Sequence, residues 1–169
     1  MNREDFGRHY DAHYPRVFRY LLWRLRDKDA AEELAAEVYA TALAAFQKGT
    51  EPRQVRSWLV GIADHLAARS WSKQQAGGAI TDSCLATEQD PEELVLGRLE
   101  SAMIWRCVDA LSAEHQQILL LRIVAGLSAR DVGELMGKTE EAVRSQQLRA
   151  LQTLRALWKE EEAGAKSRN

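Results

Sequence analysis

Apolar residues recur at helical spacing through almost the whole chain. In the first segment, about residues 3–26, they follow one another at intervals of three and four, and the segment at about 29–47 repeats in steps of four. A third helix is predicted from near Pro52, a favoured first-turn residue, to about Lys73. The sequence contains neither alternating β-branched stretches nor Asn-Gly and Asp-Gly hairpin turns. This pattern predicts an all-α protein.

Two residues predict where these helices bend or end. Pro15 lacks a backbone N–H and is expected to kink the first helix or to make it restart. Gly49 follows the second helix directly and is expected to cap its C-terminal end.

The helical pattern stops at residues 77–95. This stretch begins with two glycines, lacks a hydrophobic period and is acidic, because residues 77–98 hold five acids and one base. We interpret it as a flexible linker between two small helical domains, one at 1–76 and the other at 96–169.

Capping residues predict the helices of the second domain. Asp90 and Pro91 are expected to begin a helix that ends near Ala110. Three more helices are predicted after it: one capped by Ser112 and reaching about Val124, a short one at 129–136 capped by Ser128 with Asp131 in capping-box position, and a long one capped by Thr139 and reaching about Glu160.

The short helix, the break at Gly137 and the long helix that follows have the arrangement of a helix-turn-helix. Gly133, inside the short helix, indicates a close approach by another helix. Residues 142–155 hold three arginines and no acid, which favours DNA binding over the alternative, a hairpin with a solvated basic face. The expected core positions are Leu127, Val132, Leu135, Met136, Val143 and Leu151. The residues left to face outward or toward a DNA groove are Thr139, Glu140, Arg144, Ser145, Gln146, Leu148 and Arg149.

The predicted second helix carries an acidic face and, over residues 29–47, neither Lys nor Arg. Asp29, Glu33 and Glu37 are spaced four apart, with Glu32 beside them. The helix dipole accounts for acids in the first turn, but Glu37 lies two turns in. The other explanation is a basic protein surface that docks there, and the residues alone leave both open.

Composition excludes several classes of protein. No apolar run is long enough to cross a membrane, and the charged N-terminus does not resemble a signal peptide. Cys84 and Cys107 form neither a disulfide framework nor a zinc ribbon, and fit a reducing cytoplasm. His9 and His13 lack a third metal ligand, and neither a phosphate loop nor a catalytic nucleophile motif is present. We therefore predict a cytoplasmic protein without membrane insertion, catalytic residue, metal or cofactor.

Four segments in order resemble the extracytoplasmic-function (ECF) group of bacterial RNA polymerase sigma factors. They are FGRHYDAHYPRVFRYL, DKDAAEELAAEVYATAL at 27–43, RSWLVGIADHLAARSWSK at 56–73, and the segment at 111–155 that contains VRSQQLRAL. The resemblance covers about residues 6–158, and the last motif is its most specific part.

The resemblance implies a region 2 bundle, a region 4 helix-turn-helix bundle and three partners. These partners are core RNA polymerase, through its clamp helices and flap, promoter DNA and an anti-sigma factor. The implied polymerase-binding residues are Asp29, Glu32, Glu33 and Glu37. Region 4 is expected to read the minus-thirty-five element as duplex, through Thr139, Arg144, Ser145, Gln146, Leu148 and Arg149.

Region 2 is expected to capture the melted minus-ten strand with the loop 48–56 and the helix 57–73, which includes His65 and Trp71. Trp71 lies about opposite Trp58 around this helix. It is therefore expected either to stack on an unpaired base or to pack against the linker or the first helix.

Several positions depart from the family pattern in ways that lower positive charge or remove a polar group. Asp64-His65 stands where the family has Arg-Asn, Ala36 replaces a glutamine, and Gln116 and Gln146 replace basic residues. Fewer phosphate contacts weaken DNA binding. Two alternatives stay open: a stand-alone helix-turn-helix regulator whose first domain senses a signal or dimerises, and a degenerate sigma-like adaptor without promoter melting.

Overall fold

The computed structural model describes residues 3–74 and 102–166, which form helices joined by short turns. The elements are α1 (Arg3–Leu25), α2 (Lys28–Gln47), α3 (Val55–Gln74), α4 (102–109), α5 (Ala113–Leu119) with a π-helical turn (Leu120–Val124), α6 (Ala129–Met136) and α7 (Glu140–Lys166). The predicted all-α architecture of two helical domains is confirmed. Across these residues, every helix is either too short or too polar to pass through a bilayer.

The first domain is a three-helix bundle in which α1, α2 and α3 each pack against the other two. Its centre is apolar and includes Val17, Leu21, Val38, Leu59 and Val60, all almost fully buried. Tertiary packing of such an apolar face supplies most of the stability of protein helices.

Helix α1 continues through Pro15, so the expected restart is wrong, while the alternative of a kink stays a prediction. Helix α3 was expected to begin near Pro52 and begins at Val55, where the backbone N–H of Trp58 donates to the Gln54 carbonyl at 3.1 Å.

The ends of α2 follow its capping residues. Asp27 is the N-cap, and its side chain accepts a hydrogen bond from the backbone N–H of Ala30 at 3.0 Å. At the other end, Lys48 is the C-cap and Gly49 adopts a positive φ of 90°. A residue with a Cβ atom adopts a positive φ only at a cost in conformational energy, which explains why a glycine follows the helix.

The second domain confirms the predicted helix starts. Ser112 caps α5, and Ser128 forms a reciprocal capping box with Asp131 at the start of α6. Gly137 ends α6 in the left-handed conformation, and the Thr139 hydroxyl accepts from the Ala142 N–H at 3.1 Å. Helix α7 runs to Lys166, six residues beyond the expected end. The predicted linker and the helix start at Asp90 lie outside the described residues.

The two domains pack against each other in this structure. Helix α1 lies along the π-helical turn, and one continuous apolar cluster contains buried residues of both domains. Two expected core positions are corrected: Leu135 and Leu151 are 39% and 37% exposed. Leu135 points instead at α3 of the first domain, where its Cδ2 lies 2.9 Å from the position that a Cβ of Gly61 would occupy.

Candidate nucleic-acid and polymerase interfaces

The acidic residues of α2 are all exposed. Burial divides this helix into two faces, one formed by apolar residues and the other by carboxylates. The buried face consists of Ala31, Leu34, Ala35, Val38, Tyr39 and Ala42. The exposed face carries Asp29, Glu32, Glu33 and Glu37. Among these, Glu32 forms an ion pair with Lys28, with 3.8 Å between Oε1 and Nζ. Because both side chains are exposed, this pair contributes little to stability. The carboxylates therefore form a surface that a basic partner can contact without disturbing the core.

The turn of the helix-turn-helix is built around Gly133. A Cβ on this residue would lie 2.6 Å from the backbone oxygen of Lys138, and the Lys138 N–H donates to the Gly133 carbonyl at 2.8 Å. The sequence indicated a close approach to Gly133. The approaching group is the backbone of the turn rather than another helix.

Most of the expected DNA-reading residues lie exposed at the start of α7, Thr139 as its cap and the others on its first turns. They are Thr139, Arg144, Ser145, Leu148 and Arg149. Val143 and Ala150 are buried on the opposite side and hold α7 against the bundle. Arg144 pairs with Glu140 one turn earlier on the exposed surface. An exposed ion pair of this kind contributes little stability in water. A DNA phosphate or base can therefore replace Glu140 as the partner of the Arg144 guanidinium.

Gln146 differs from these neighbours because it is half-buried and has a partner in α5. Its Nε2 donates to the Glu114 carboxylate at 3.1 Å, and the Lys138 ammonium forms an ion pair with the same carboxylate. The hydrogen bond from Lys138 holds the pKa of Glu114 below its usual value of 4.5. This network fixes the start of α7 relative to α5, a feature that the sequence did not indicate.

The first domain carries a groove between α2 and α3. Its volume is about 490 Å³, and its lining includes Glu37, His65 and Arg69 together with Leu135 from the second domain. His65 and Glu37, the expected minus-ten and polymerase contacts, are thus neighbours on one surface. Trp71 lies in the part of α3 whose side chains fall outside the described residues.

Asp64, next to His65, accepts hydrogen bonds from both domains. The Tyr20 hydroxyl donates to one carboxylate oxygen at 2.5 Å, and Gln117 Nε2 donates to the other at 2.9 Å. Burial and the adjacent carboxylate raise the pKa of Tyr20 well above 10, so its hydroxyl stays a donor. Sequence reasoning noted Asp64 only as a departure from a basic pattern and missed its contacts.

Comparison with known proteins matches the two domains to one family. Residues 9–77 match Sigma-70 region 2, and residues 107–156 match Sigma-70, region 4. The ECF RNA polymerase sigma factor BldN of Streptomyces coelicolor is 33% identical over 160 residues, which is 91% of this chain and 60% of BldN. The ECF RNA polymerase sigma factor SigD of Mycobacterium tuberculosis is 31% identical over 150 residues, 83% of this chain and 71% of SigD.

A solved structure has the same fold. It is that of the sigma factor RpoE in complex with the anti-sigma factor NepR from Bartonella quintana, with a TM-score of 0.72 at 19% identity, covering 92% of this chain and 98% of that one. Sigma factors are not enzymes, and in this chain region 2 precedes region 4. The chain belongs to the ECF group of RNA polymerase sigma factors.

Proposed function

We propose that this chain binds core RNA polymerase and directs it to a set of promoters. It acts in the cytoplasm through binding, without catalysis of its own, and an anti-sigma factor holds it inactive. The acidic face of α2 contacts the polymerase clamp helices, and the first turns of α7 read the minus-thirty-five element. The RpoE structure contains an anti-sigma factor, which supports an anti-sigma factor as a partner of this chain.

The observation that carries this proposal is the two-faced burial of α2. Glu33 and Glu37 are exposed on a helix whose other face is fully used by the core. Like charges four residues apart repel each other by a few tenths of a kcal/mol, and Glu37 lies too far along the helix for the dipole to offset this repulsion. A basic partner surface removes this repulsion and gives the face a function.

Charge reversal on this face tests the proposal. The double variant Glu33→Lys with Glu37→Lys should lose co-purification with core polymerase, while its circular dichroism spectrum stays that of the wild type. The matched control is Glu160→Lys with Glu162→Lys, which reverses two exposed acids on α7. Unchanged association of the α2 variant, or equal loss in the control, would contradict the assignment. Tight binding of a dimer to duplex DNA without polymerase would favour the stand-alone regulator instead.

A second candidate function is an adaptor that binds polymerase without melting promoters. Asp64 favours it, because a carboxylate replaces the basic residue of the family pattern beside the expected minus-ten strand. Run-off transcription with purified core polymerase, on DNA upstream of its own gene, separates the two functions. A transcript supports the sigma factor. Polymerase binding without an open complex supports the adaptor.

A further inference from the structure

The helix-turn-helix carries as many acids as bases. Residues 129–149 hold four of each, so this part of the chain has no net formal charge. Sequence-independent binding of DNA comes mainly from lysines and arginines that neutralise phosphates. The affinity of this domain for DNA therefore depends on which of its cations are free to reach a phosphate and which are already held by an acid.

Lys138 lies at the end of the helix-turn-helix that is expected to meet the DNA backbone. It is the residue before Thr139, whose hydroxyl caps α7, and helix N-termini are common contacts of DNA phosphates. Its place in the turn is fixed, because its backbone N–H donates to the Gly133 carbonyl at 2.8 Å. A free ammonium group at this place would be available to a phosphate.

The ammonium group of Lys138 is held by an acid from another helix. It forms an ion pair with one carboxylate oxygen of Glu114 in α5, and Gln146 Nε2 donates to the other oxygen at 3.1 Å. The Lys138 side chain is only 25% exposed. Salt screens a partly buried ion pair much less than an exposed one. Glu114 therefore keeps the Lys138 ammonium on α5 rather than leaving it to phosphates or to ions in solution.

The pair that Arg144 forms with Glu140 is different. Both side chains belong to α7, one turn apart, and they are 69% and 44% exposed. An exposed pair of this kind contributes little stability, so DNA can replace Glu140 at small cost. Arg144 is therefore available to DNA, whereas the acid that holds Lys138 is fixed by a second hydrogen bond.

Gln146 keeps one cation for one acid at this contact. The family pattern has a basic residue at this position, and Gln146 Nε2 lies on a carboxylate oxygen of Glu114. A cation there would compete with Lys138 for the same carboxylate, and one of the two cations would lack an acid. The amide donates a hydrogen bond without adding a charge. The departure from the family pattern thus removes a free cation from the DNA-facing end of the domain.

We propose that Glu114 limits sequence-independent DNA binding by withholding Lys138 from the DNA backbone. The proposal rests on the proposed function for the contact between α7 and duplex DNA. Arg144 and Arg149 stay exposed on α7, so groups that can reach base edges are retained while one phosphate contact is lost. The chain then depends more on base contacts and on polymerase than on charge to hold a promoter.

The salt dependence of DNA binding tests the proposal. The variant Glu114→Gln keeps the shape of the side chain and an acceptor for the Gln146 amide, but it loses the charge that holds Lys138. Fluorescence anisotropy measures binding of the full-length chain to a short labelled duplex of unrelated sequence at several salt concentrations. Each added phosphate contact should steepen the plot of log affinity against log salt by about 0.9, and should raise the affinity about tenfold at about 50 mM salt.

The gain should require Lys138. In a Lys138→Met background, Glu114→Gln should change the slope little, because no ammonium group is released. A gain that persists in this background would come from removal of a carboxylate near DNA and would overturn the proposal. The matched control is Glu162→Gln, which removes an exposed acid paired with Lys166 near the other end of α7. Its slope should equal that of the wild type.

The remaining outcomes also decide the matter. A wild-type slope and affinity for Glu114→Gln, or an equal gain in the control, would overturn the proposal. If the wild type neither binds polymerase nor directs a transcript, the proposed function is wrong. The salt slopes still decide whether Glu114 withholds Lys138 from a DNA backbone.

NMR of the lysine ammonium groups gives a second measurement that does not depend on affinity. The signal of Lys138 in the ¹⁵N-labelled wild type is identified by its loss in Lys138→Met. With the same excess of duplex DNA, this signal should stay in place in the wild type and move in Glu114→Gln. Movement in the wild type would show that Lys138 already contacts DNA, and would overturn the proposal.

Discussion

At the scale of single residues, Gln146 shows what a sequence pattern leaves undetermined. Its position after Ser145 predicts a side chain near DNA, yet the structure gives it a hydrogen bond to Glu114, 32 residues earlier. Nothing in the local sequence indicates this partner, because the pairing depends on how α5 and α7 pack. The DNA contact stays a prediction, and the network around Glu114 is an additional role in positioning α7.

This network predicts a pH dependence of stability. The pKa of Glu114 is lower in the folded chain than its usual value of 4.5, mainly because Lys138 donates a hydrogen bond to it. The folded state therefore binds fewer protons there than the unfolded state. Its contribution to stability is present above about pH 4.5 and disappears as the pH falls through the lower folded value.

The variant Glu114→Gln should accordingly lose less stability than the wild type on acidification from about pH 6 to about pH 3. Urea unfolding at each pH measures the difference. In a Lys138→Met background the largest cause of the shift is gone, while Gln146 and His115 still act on Glu114, so the substitution should alter the pH dependence less than it does in the wild type. An undiminished effect without Lys138 would assign the shift to another group.

At the scale of elements, short sequence motifs predicted the end of a helix correctly where that end depends only on neighbouring residues. The Ser128–Asp131 capping box and Gly137 predicted both ends of α6 correctly, because caps act within a few residues. Hydrophobic spacing, by contrast, wrongly predicted that Leu135 and Leu151 are core residues, because their positions follow the helical period of the core. Whether such a residue is buried depends on which helix lies opposite, and the sequence does not contain that information in any short window.

The α6–α7 turn gives a prediction for Gly133. Replacing a helical glycine by alanine normally stabilises a helix by about 1 kcal/mol. Here the new methyl group would meet the Lys138 carbonyl, which is backbone and cannot move aside easily. Gly133→Ala should therefore lower the free energy of unfolding by about 1–3 kcal/mol.

Gly7→Ala is the matched control for this substitution. Gly7 is also helical, and a Cβ there has no neighbouring atom within 4 Å, so alanine should stabilise the chain. Chemical unfolding of both variants measures the contrast. Stabilisation by both substitutions would show that the turn does not approach Gly133 as closely as described.

At the scale of the whole molecule, the domain contacts join residues far apart along the chain. Tyr20 and Asp64 are separated by 44 residues, Asp64 and Gln117 by 53, and Arg26 and Asp109 by 83. Hydrophobic periodicity predicted two bundles and their order, because each bundle is built from neighbouring helices. It could not predict that the bundles meet, since the same apolar spacing serves a core within a domain and a core between domains.

The shared core leads to a prediction about cooperativity. Each domain has about 70 residues, a size at which a single core supplies little stability by itself. Burial of Tyr20 and Leu21 with Ile118 and Leu121 adds apolar area that neither domain has alone. The full chain should therefore unfold in urea as one transition, with the same midpoint in both domains.

Fluorotryptophan labelling followed by ¹⁹F NMR distinguishes the domains without removing Trp23 or Trp105, whose packing belongs to the contact. Trp58 in α3 reports on the first domain and Trp158 in α7 on the second. Coincident midpoints are expected for the wild type. In the Asp109→Ala, Gln117→Ala variant the two midpoints should begin to separate, because the domains lose the polar contacts of Asp109 with Arg26 and of Gln117 with Asp64 and keep only the shared apolar core. Separate midpoints in the wild type would mean that each domain is stable alone and that the contact contributes little to folding.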